Sequence, residues 1–155
     1  MPDTPTLYVE LKSDVEAIAL ALFDMSQHLL RENGNFLPHA AVLLESGEIR
    51  HVGATTNSED GTSISTEMLP LLHSGLREMV KAEPIKAVGV AENVTVTMSG
   101  EPATAATKVL FEHIRGLTVA LYEPFDELPD QRYVYGNIFT KEAEPEVQAW
   151  HRRDA

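Results

Sequence analysis

Three extended segments, joined by short turns, lie between residues 85 and 122 and constrain the fold more than any other feature of the chain. Ile85 to Met98 is rich in Val and Thr, which is typical of a strand. The chain turns at Ser99-Gly100-Glu101-Pro102 and again at Arg115-Gly116. Turns this short join antiparallel strands. Ala105–Ile114 and Leu117–Tyr122 are therefore predicted to continue an antiparallel sheet.

Two amphipathic helices are predicted between the N-terminus and these three strands. The first covers about residues 14 to 32, begins at a capping box in Ser13-Asp14-Val15-Glu16, and ends at Asn33-Gly34-Asn35. The second covers about Thr66 to Ala82 and ends before Pro84. In each helix the apolar residues recur at steps of three and four and form one stripe, which in the first helix consists of Val15, Ile18, Leu22, Met25 and Leu29.

A hairpin is predicted between the two helices. Its strands are Leu37–Glu45 and Glu48–Ala54, joined at Ser46-Gly47. We expect Glu45 to pair with Glu48, which would place His39 and His51 on opposite faces. One face would carry Ala40, Val42, Leu44, Ile49, His51 and Gly53.

The last stretch, residues 123–155, has a different character. It contains Pro124, Pro129 and Pro145, yet six of the ten aromatic residues lie from Tyr122 onward. Disordered tails are usually poor in aromatics, so this segment is expected to pack on the domain or on a partner. The predicted fold class is α+β, with an antiparallel sheet of about five strands and two main helices in the order α-β-β-α-β-β-β. Residues 1–122 form the predicted domain and residues 123–155 a C-terminal extension.

The composition excludes several classes of function. The chain has 155 residues, 24 acids against 12 Lys and Arg, and a net charge of -12, which disfavours nucleic acid and anionic membranes as partners. It has no cysteine, which excludes disulfides, thiolate nucleophiles and iron–sulfur clusters. Its longest apolar run, residues 17–23, is far shorter than the about 20 residues of a membrane span. A cytoplasmic location is the simplest expectation.

The predicted element order over residues 13–122 resembles that of roadblock and profilin-type proteins, in which helices flank a central antiparallel sheet. Roadblock-like domains are commonly dimeric, non-enzymatic scaffolds or regulators, so the resemblance implies a homodimeric regulator. The segments Phe36–Ala41, Leu76–Glu78 and Phe111–Gly116 also resemble small uncharacterised bacterial proteins, which brings no activity with it.

One loop has part of the spacing of a calcium site. In Thr56-Asn57-Ser58-Glu59-Asp60-Gly61, followed by Glu67, three positions match the register of an EF-hand loop: Asp60, Gly61 and Glu67. The first position is Thr56 rather than Asp, and a strand precedes the loop instead of a helix. A solvated loop that leads into a helix is the better interpretation.

The histidines form no pair with metal-ligand spacing. Asp24, His28 and Glu32 follow one another at i, i+4 steps on the first helix, where ordinary side-chain pairing explains them. His39 and His51, predicted to lie on opposite faces, are not expected to share a metal.

Two further groups could carry chemistry. Glu112, His113 and Arg115 lie close together at the second hairpin, but strand alternation sends Glu112 and His113 to opposite faces. A row of His73, Arg77 and Lys81 on the second helix could bind an acidic group, but a solvated helix face is the better explanation. We therefore predict no catalytic, cofactor-binding or metal-binding residue and no cofactor.

Three classes of function remain open. The favoured class is a non-enzymatic interaction or regulatory protein that forms a homodimer or binds another protein. The alternatives are an acidic inhibitor or immunity-type protein that covers a basic enzyme, and a small enzyme that uses His and carboxylates. Residues 1–35, 36–83 and 123–155 each carry a net charge of -4, whereas residues 84–122 are neutral. This even spread disfavours a dedicated acidic face and makes the neutral strands the expected interface.

Overall fold

The computed structural model describes residues 4–53, 64–97 and 99–150. Its helices are α1 (Thr4–Glu10), α2 (Lys12–Asn33) and α3 (Ile64–Ala82). Its strands are β1 (His39–Leu44), β2 (Ile49–Val52), β3 (Ile85–Val96), β4 (Thr104–His113), β5 (Thr118–Leu128), β6 (Arg132–Tyr135) and β7 (Phe139–Glu142). A single turn of 3-10 helix, Pro129–Gln131, precedes β6.

The antiparallel α+β architecture predicted from the sequence is confirmed, because every strand pair in the sheet is antiparallel. Within the described residues the sheet has seven strands rather than about five, and α1 precedes the two predicted helices. Strand β5 continues past Tyr122, and β6 and β7 both pair with it. The aromatic C-terminal segment therefore contributes to the same sheet as the preceding strands.

The strands follow the order β2-β1-β3-β4-β5-β6, with β7 also beside β5. One face of the sheet packs against α2 through a core that includes Ile18, Leu22 and Phe111. The opposite face packs against α3 at β1 and β3, where Leu72 and Leu76 meet Val88. Helix α3 lies over β1 and β3, so it covers little of the part of this face that β4, β5 and β7 form.

The predicted capping box at the start of the first long helix is wrong. Helix α2 begins at Lys12 after Leu11, which makes no side-chain cap, and Ser13 lies inside the helix. The backbone N–H of Leu11 donates to the carbonyl of Leu7, so α1 leads directly into α2. The predicted end of this helix is confirmed: Gly34 adopts the left-handed conformation and its N–H donates to the carbonyl of Leu30.

The predicted register of the first hairpin is also wrong. Leu43 pairs with Ile49 and Ala41 with His51, because the connection is a three-residue loop that ends at Gly47 rather than a two-residue turn. Gly47 has a φ of 96°, the conformation of the bulge that follows a type I turn. A slip of one residue moves every side chain of β2 to the other face, so His39 and His51 share the α2 face instead of opposing each other.

Gly89 sets how closely α2 approaches the sheet. A Cβ atom at this position of β3 would lie 2.8 Å from Leu22 Cδ1 and still closer to Ile18 Cγ2. Both leucine and isoleucine are fully buried, so they have little room to move away. The absence of a side chain at Gly89 therefore allows the helix to seat on the strand.

Replacing Gly89 with Ala should destabilise the protein by about 1–3 kcal/mol, because the added methyl group overpacks this contact. The measurement is the free energy of unfolding from urea denaturation. Gly75→Ala on α3 is the matched control: its Cβ would meet no atom within 4 Å, and the change should stabilise the helix by about 0.5–1 kcal/mol. Equal effects of the two substitutions would contradict the close approach.

Candidate functional site

The half of the sheet that α3 leaves open contains a cleft of about 630 Å³. Val88 and Val90 of β3 face α3, so alternation places Val94 and Val96 further along the same face. We call this feature the aromatic cleft. Its lining consists of Val94, Thr95, Val96, Thr97, Ser99, Lys108, Tyr122, Phe139 and Lys141.

Two stacked rings form one wall of the aromatic cleft. Tyr122 of β5 is the register partner of Phe139 of β7, which brings their side chains together on one face. The ring centroids are 5.0 Å apart and the planes differ by 13°. Lys141, two residues along β7, holds its ammonium 5.9 Å from the Tyr122 ring centroid and 5.8 Å from that of Phe139. Lys141 is exposed and forms no ion pair with any residue that the structure describes.

Lys108 is the second cation of the cleft and is more enclosed. Its ammonium lies 3.0 Å from Glu146 Oε2 and 3.8 Å from Glu92 Oε1. Burial alone would lower the pKa of Lys108, but the hydrogen bond that its ammonium donates to Glu146 and the charges of both carboxylates raise it. Burial raises the pKa of Glu92, and the neighbouring Lys108 offsets part of that shift. Lys108 is thus a paired cation that lies between the cleft and Glu146.

Glu112 binds the C-terminal segment, residues 146–150, to the same face of the sheet. Its carboxylate is buried, and it accepts the backbone N–H groups of Glu146 at 2.9 Å, Val147 at 2.7 Å and Gln148 at 2.9 Å. We call this arrangement the Glu112 clamp. Three amide donors satisfy a charge that has left water, which allows a carboxylate to stay inside the fold.

The segment that the clamp holds also packs against α3. Val147 is fully buried in the core between α3 and the sheet, and Trp150 contacts the edge of that core. Arg77 Nη1 donates to the carbonyl of Val147 at 2.9 Å. The predicted row of His73, Arg77 and Lys81 therefore does not act as one site: Arg77 binds the segment, and exposed Lys81 pairs with Glu78.

His113 lies on the α2 face, opposite Glu112, as strand alternation predicts. Its Nε2 is 2.9 Å from Asp14 Oδ2, and its Nδ1 accepts the backbone N–H of Arg115. Burial lowers the pKa of His113, and Asp14 only partly reverses this shift. Both ring nitrogens are engaged, so the neutral ring keeps no lone pair for a substrate. The pair fastens α2 to the second hairpin, together with Lys86 at 3.2 Å from Asp14.

Ser26 and His39 resemble a nucleophile and its base, with Ser26 Oγ 3.0 Å from His39 Nε2. The serine is fully buried within α2, however, so its hydroxyl is closed to a substrate in this conformation. Burial lowers the pKa of His39 to about 4, helped by the charge of His51. The other ring nitrogen, Nδ1, is buried without a hydrogen-bond partner among the described residues.

The remaining predicted candidates are not brought together. Asp24, His28 and Glu32 are exposed on α2. The loop Thr56–Gly61 lies outside the described residues, and so does the side chain of Glu67. Arg115 pairs with Glu10 at 3.0 Å on the surface.

Residues 4–53, 64–97 and 99–150 contain no group of three His, Asp or Glu side chains arranged to hold a metal ion. Within the same ranges no helix combines the length and apolarity that a membrane crossing needs. Comparison with protein-family models, curated proteins and solved structures finds no match for the chain.

Sequence reasoning missed the aromatic cleft and the Glu112 clamp. The cleft combines four strands whose residues are up to 47 positions apart, from Val94 to Lys141. The sequence signal was that Lys108 and Tyr122 pair across neighbouring neutral strands and so share one face of the sheet. The cleft also requires the register of β7 on β5, which the sequence did not reveal. Glu112 was considered only as an acid–base candidate, and nothing local identifies its partners 34 to 36 residues away.

Lowering the pH from 6.5 to 4 should destabilise the protein through His39. Its folded pKa of about 4 lies below the unfolded value of 6.5, so the unfolded chain binds the proton first and stability falls as the pH drops through this window. The loss from this residue is at most about 3 kcal/mol. The test compares unfolding free energies at pH 7 and pH 4.5 in the wild type and in His39→Gln, which should show a smaller loss.

His28→Gln is the control for this experiment, because His28 is an exposed histidine on the same helix as Ser26. The free energy of unfolding of this variant should fall between pH 7 and pH 4.5 by as much as that of the wild type. If His39→Gln loses as much stability as the wild type, the buried neutral state of His39 is wrong.

Proposed function

We propose that this protein is a non-enzymatic, cytoplasmic interaction protein that binds an acidic segment of a partner protein in the aromatic cleft. The observation that carries the proposal is the exposed cation Lys141 beside the stacked rings of Tyr122 and Phe139, above an apolar floor. The partner segment would insert an aromatic side chain and place a neighbouring carboxylate on Lys141.

The dimensions and chemistry of the cleft support such a ligand. Its volume of about 630 Å³ falls within the range of about 300–1,000 Å³ that is usual for ligand pockets. Rings on the wall offer a stacking surface for a third ring. Val94 and Val96 supply apolar area, and Lys141, which lacks an ion-pair partner among the described residues, supplies the charge that selects an anion.

The net charge of -12 does not oppose this interpretation at short range. Salt screens exposed charges beyond about 8 Å at physiological ionic strength, so a ligand in the cleft responds mainly to the nearest groups. The cleft draws most of its lining from residues 84–122, the stretch with equal numbers of acids and bases. The partner would therefore meet a local cation on an otherwise acidic surface.

The same class of protein follows from the roadblock-like element order expected from the sequence, and the homodimer stays a prediction of that resemblance. Light scattering decides the oligomeric state independently of the cleft. The enzyme alternative loses support from the engaged nitrogens of His113 and the buried hydroxyl of Ser26. The inhibitor alternative would need a concentrated acidic face.

The test is a titration of the ¹⁵N-labelled full chain with the blocked peptide acetyl-Glu-Phe-Glu-amide, followed by NMR. We expect shifts of the amides that line the aromatic cleft. Lys141→Gln should weaken binding about 2- to 5-fold, as loss of an exposed charge pair predicts. Phe139→Leu keeps most of the volume but removes the stacked ring, and should weaken binding about 2- to 10-fold.

Two control peptides and one control variant make the result specific. Acetyl-Lys-Phe-Lys-amide lacks the carboxylates and acetyl-Glu-Ala-Glu-amide lacks the ring, so both should bind more weakly. Lys81→Gln removes another exposed lysine, on α3 and outside the cleft, and should leave binding unchanged. The proposal is wrong if the basic peptide binds as tightly as the acidic one, or if Lys81→Gln and Lys141→Gln have equal effects.

A further inference from the structure

Lys108 belongs to two features at once. Its side chain lines the aromatic cleft, and its ammonium is 3.0 Å from the Glu146 carboxylate of the C-terminal segment. The backbone of Glu146 is fixed independently, because its N–H donates to Glu112 at 2.9 Å. The Glu112 clamp thus delivers a carboxylate of the chain itself to a cation of the cleft.

This contact sets the charge that a ligand would meet. With the segment in place, the cleft holds two cations, Lys108 and Lys141, and two carboxylates, those of Glu92 and Glu146, which both lie beside Lys108. If the Glu146 side chain swings away, the cleft gains one net positive charge. The Glu146 side chain is 44% exposed, so it has room to move into solvent, whereas Glu92 is only 21% exposed and lies in β3.

We propose that Glu146 is an internal competitor: it occupies Lys108 in the free protein, and a ligand that places one carboxylate on Lys141 must displace Glu146 to place a second carboxylate on Lys108. The proposal rests on the function proposed above and adds the regulation of that site. The displacement needs only a side-chain movement. The three amide bonds to Glu112 and the burial of Val147 keep the backbone of the segment docked while Glu146 exchanges partners.

The arrangement also selects the ligand. When a neutral or basic segment takes the place of Glu146, Lys108, at 16% exposure, keeps only the more distant carboxylate of Glu92, at 3.8 Å, among the described residues. An acidic segment replaces one carboxylate by another, so the exchange leaves Lys108 paired throughout. The internal carboxylate therefore raises specificity for acidic ligands while it lowers their affinity.

The experiment measures the affinity of acetyl-Glu-Phe-Glu-amide for the full chain and for four variants: Glu146→Gln, Glu144→Gln, Lys108→Gln and the double variant of Lys108 and Glu146. Glu146→Gln removes the competing charge and should tighten binding about 2- to 5-fold. Glu144→Gln is the matched control, since it removes the same charge from an exposed neighbour just before the segment, and it should change binding less than about 2-fold. In the background of Lys108→Gln, the gain from Glu146→Gln should vanish.

The outcomes separate this proposal from the proposed function. If neither the wild type nor Glu146→Gln binds the peptide, both proposals are overturned. If the wild type binds but Glu146→Gln and Glu144→Gln behave alike, only the internal competitor is overturned. A gain that persists in the Lys108→Gln background would also overturn it, because the effect would then come from undocking of the segment. Emission from Trp150, the only tryptophan, reports docking directly and should not shift in Glu146→Gln.

Discussion

A buried carboxylate organises the second face of the sheet. Glu112 is buried near the end of β4, and a charge in that position is costly unless donors replace the lost water. The chain supplies three backbone N–H groups from one short segment, residues 146–148. That solution satisfies the carboxylate and also seats Val147 in the core beneath α3. The position of Glu146 beside Lys108, and with it the charge of the aromatic cleft, follows from the same three bonds.

Strand alternation gives two neighbouring residues of β4 separate structural roles. Glu112 and its neighbour His113 point to opposite faces, where each ties a different part of the chain to β4: the C-terminal segment on one side and α2, through Asp14, on the other. Each polar atom of the two side chains has a hydrogen-bond partner, which is how proteins keep polar groups inside. Their types suggest acid–base chemistry in the sequence, but their surroundings give them structural roles. The groups that remain available to a ligand are Lys141 and the two rings beside it.

Local patterns in the sequence predicted the two long helices, the left-handed end of α2 at Gly34 and the antiparallel pairing of β3, β4 and β5. The errors came from features that local patterns do not determine. A loop with one more residue shifted the β1–β2 register and moved His51 to the face of His39. Helix α1 leads directly into α2, with the N–H of Leu11 bonded to the carbonyl of Leu7, and α2 begins without a side-chain cap. The aromatic cleft required the pairing of β7 with β5, a contact between residues far apart in the chain, so its residues were individually visible but not assembled.

The account depends most on the Glu112 clamp, and amide hydrogen exchange measures the clamp directly. In the wild-type protein the N–H groups of Glu146, Val147 and Gln148 should exchange slowly, although they belong to no helix or strand. In Glu112→Gln the side-chain NH₂ would replace one of the two accepting oxygens and the charge would be lost, so the segment should open more often and all three amides should exchange at least about 10-fold faster, which corresponds to the loss of about 1.4 kcal/mol of protection. Backbone amides of β3 that pair with β1 and β4 at the centre of the sheet serve as the internal reference for global stability. Fast exchange of the three amides in the wild type, or unchanged protection in Glu112→Gln, would contradict the account.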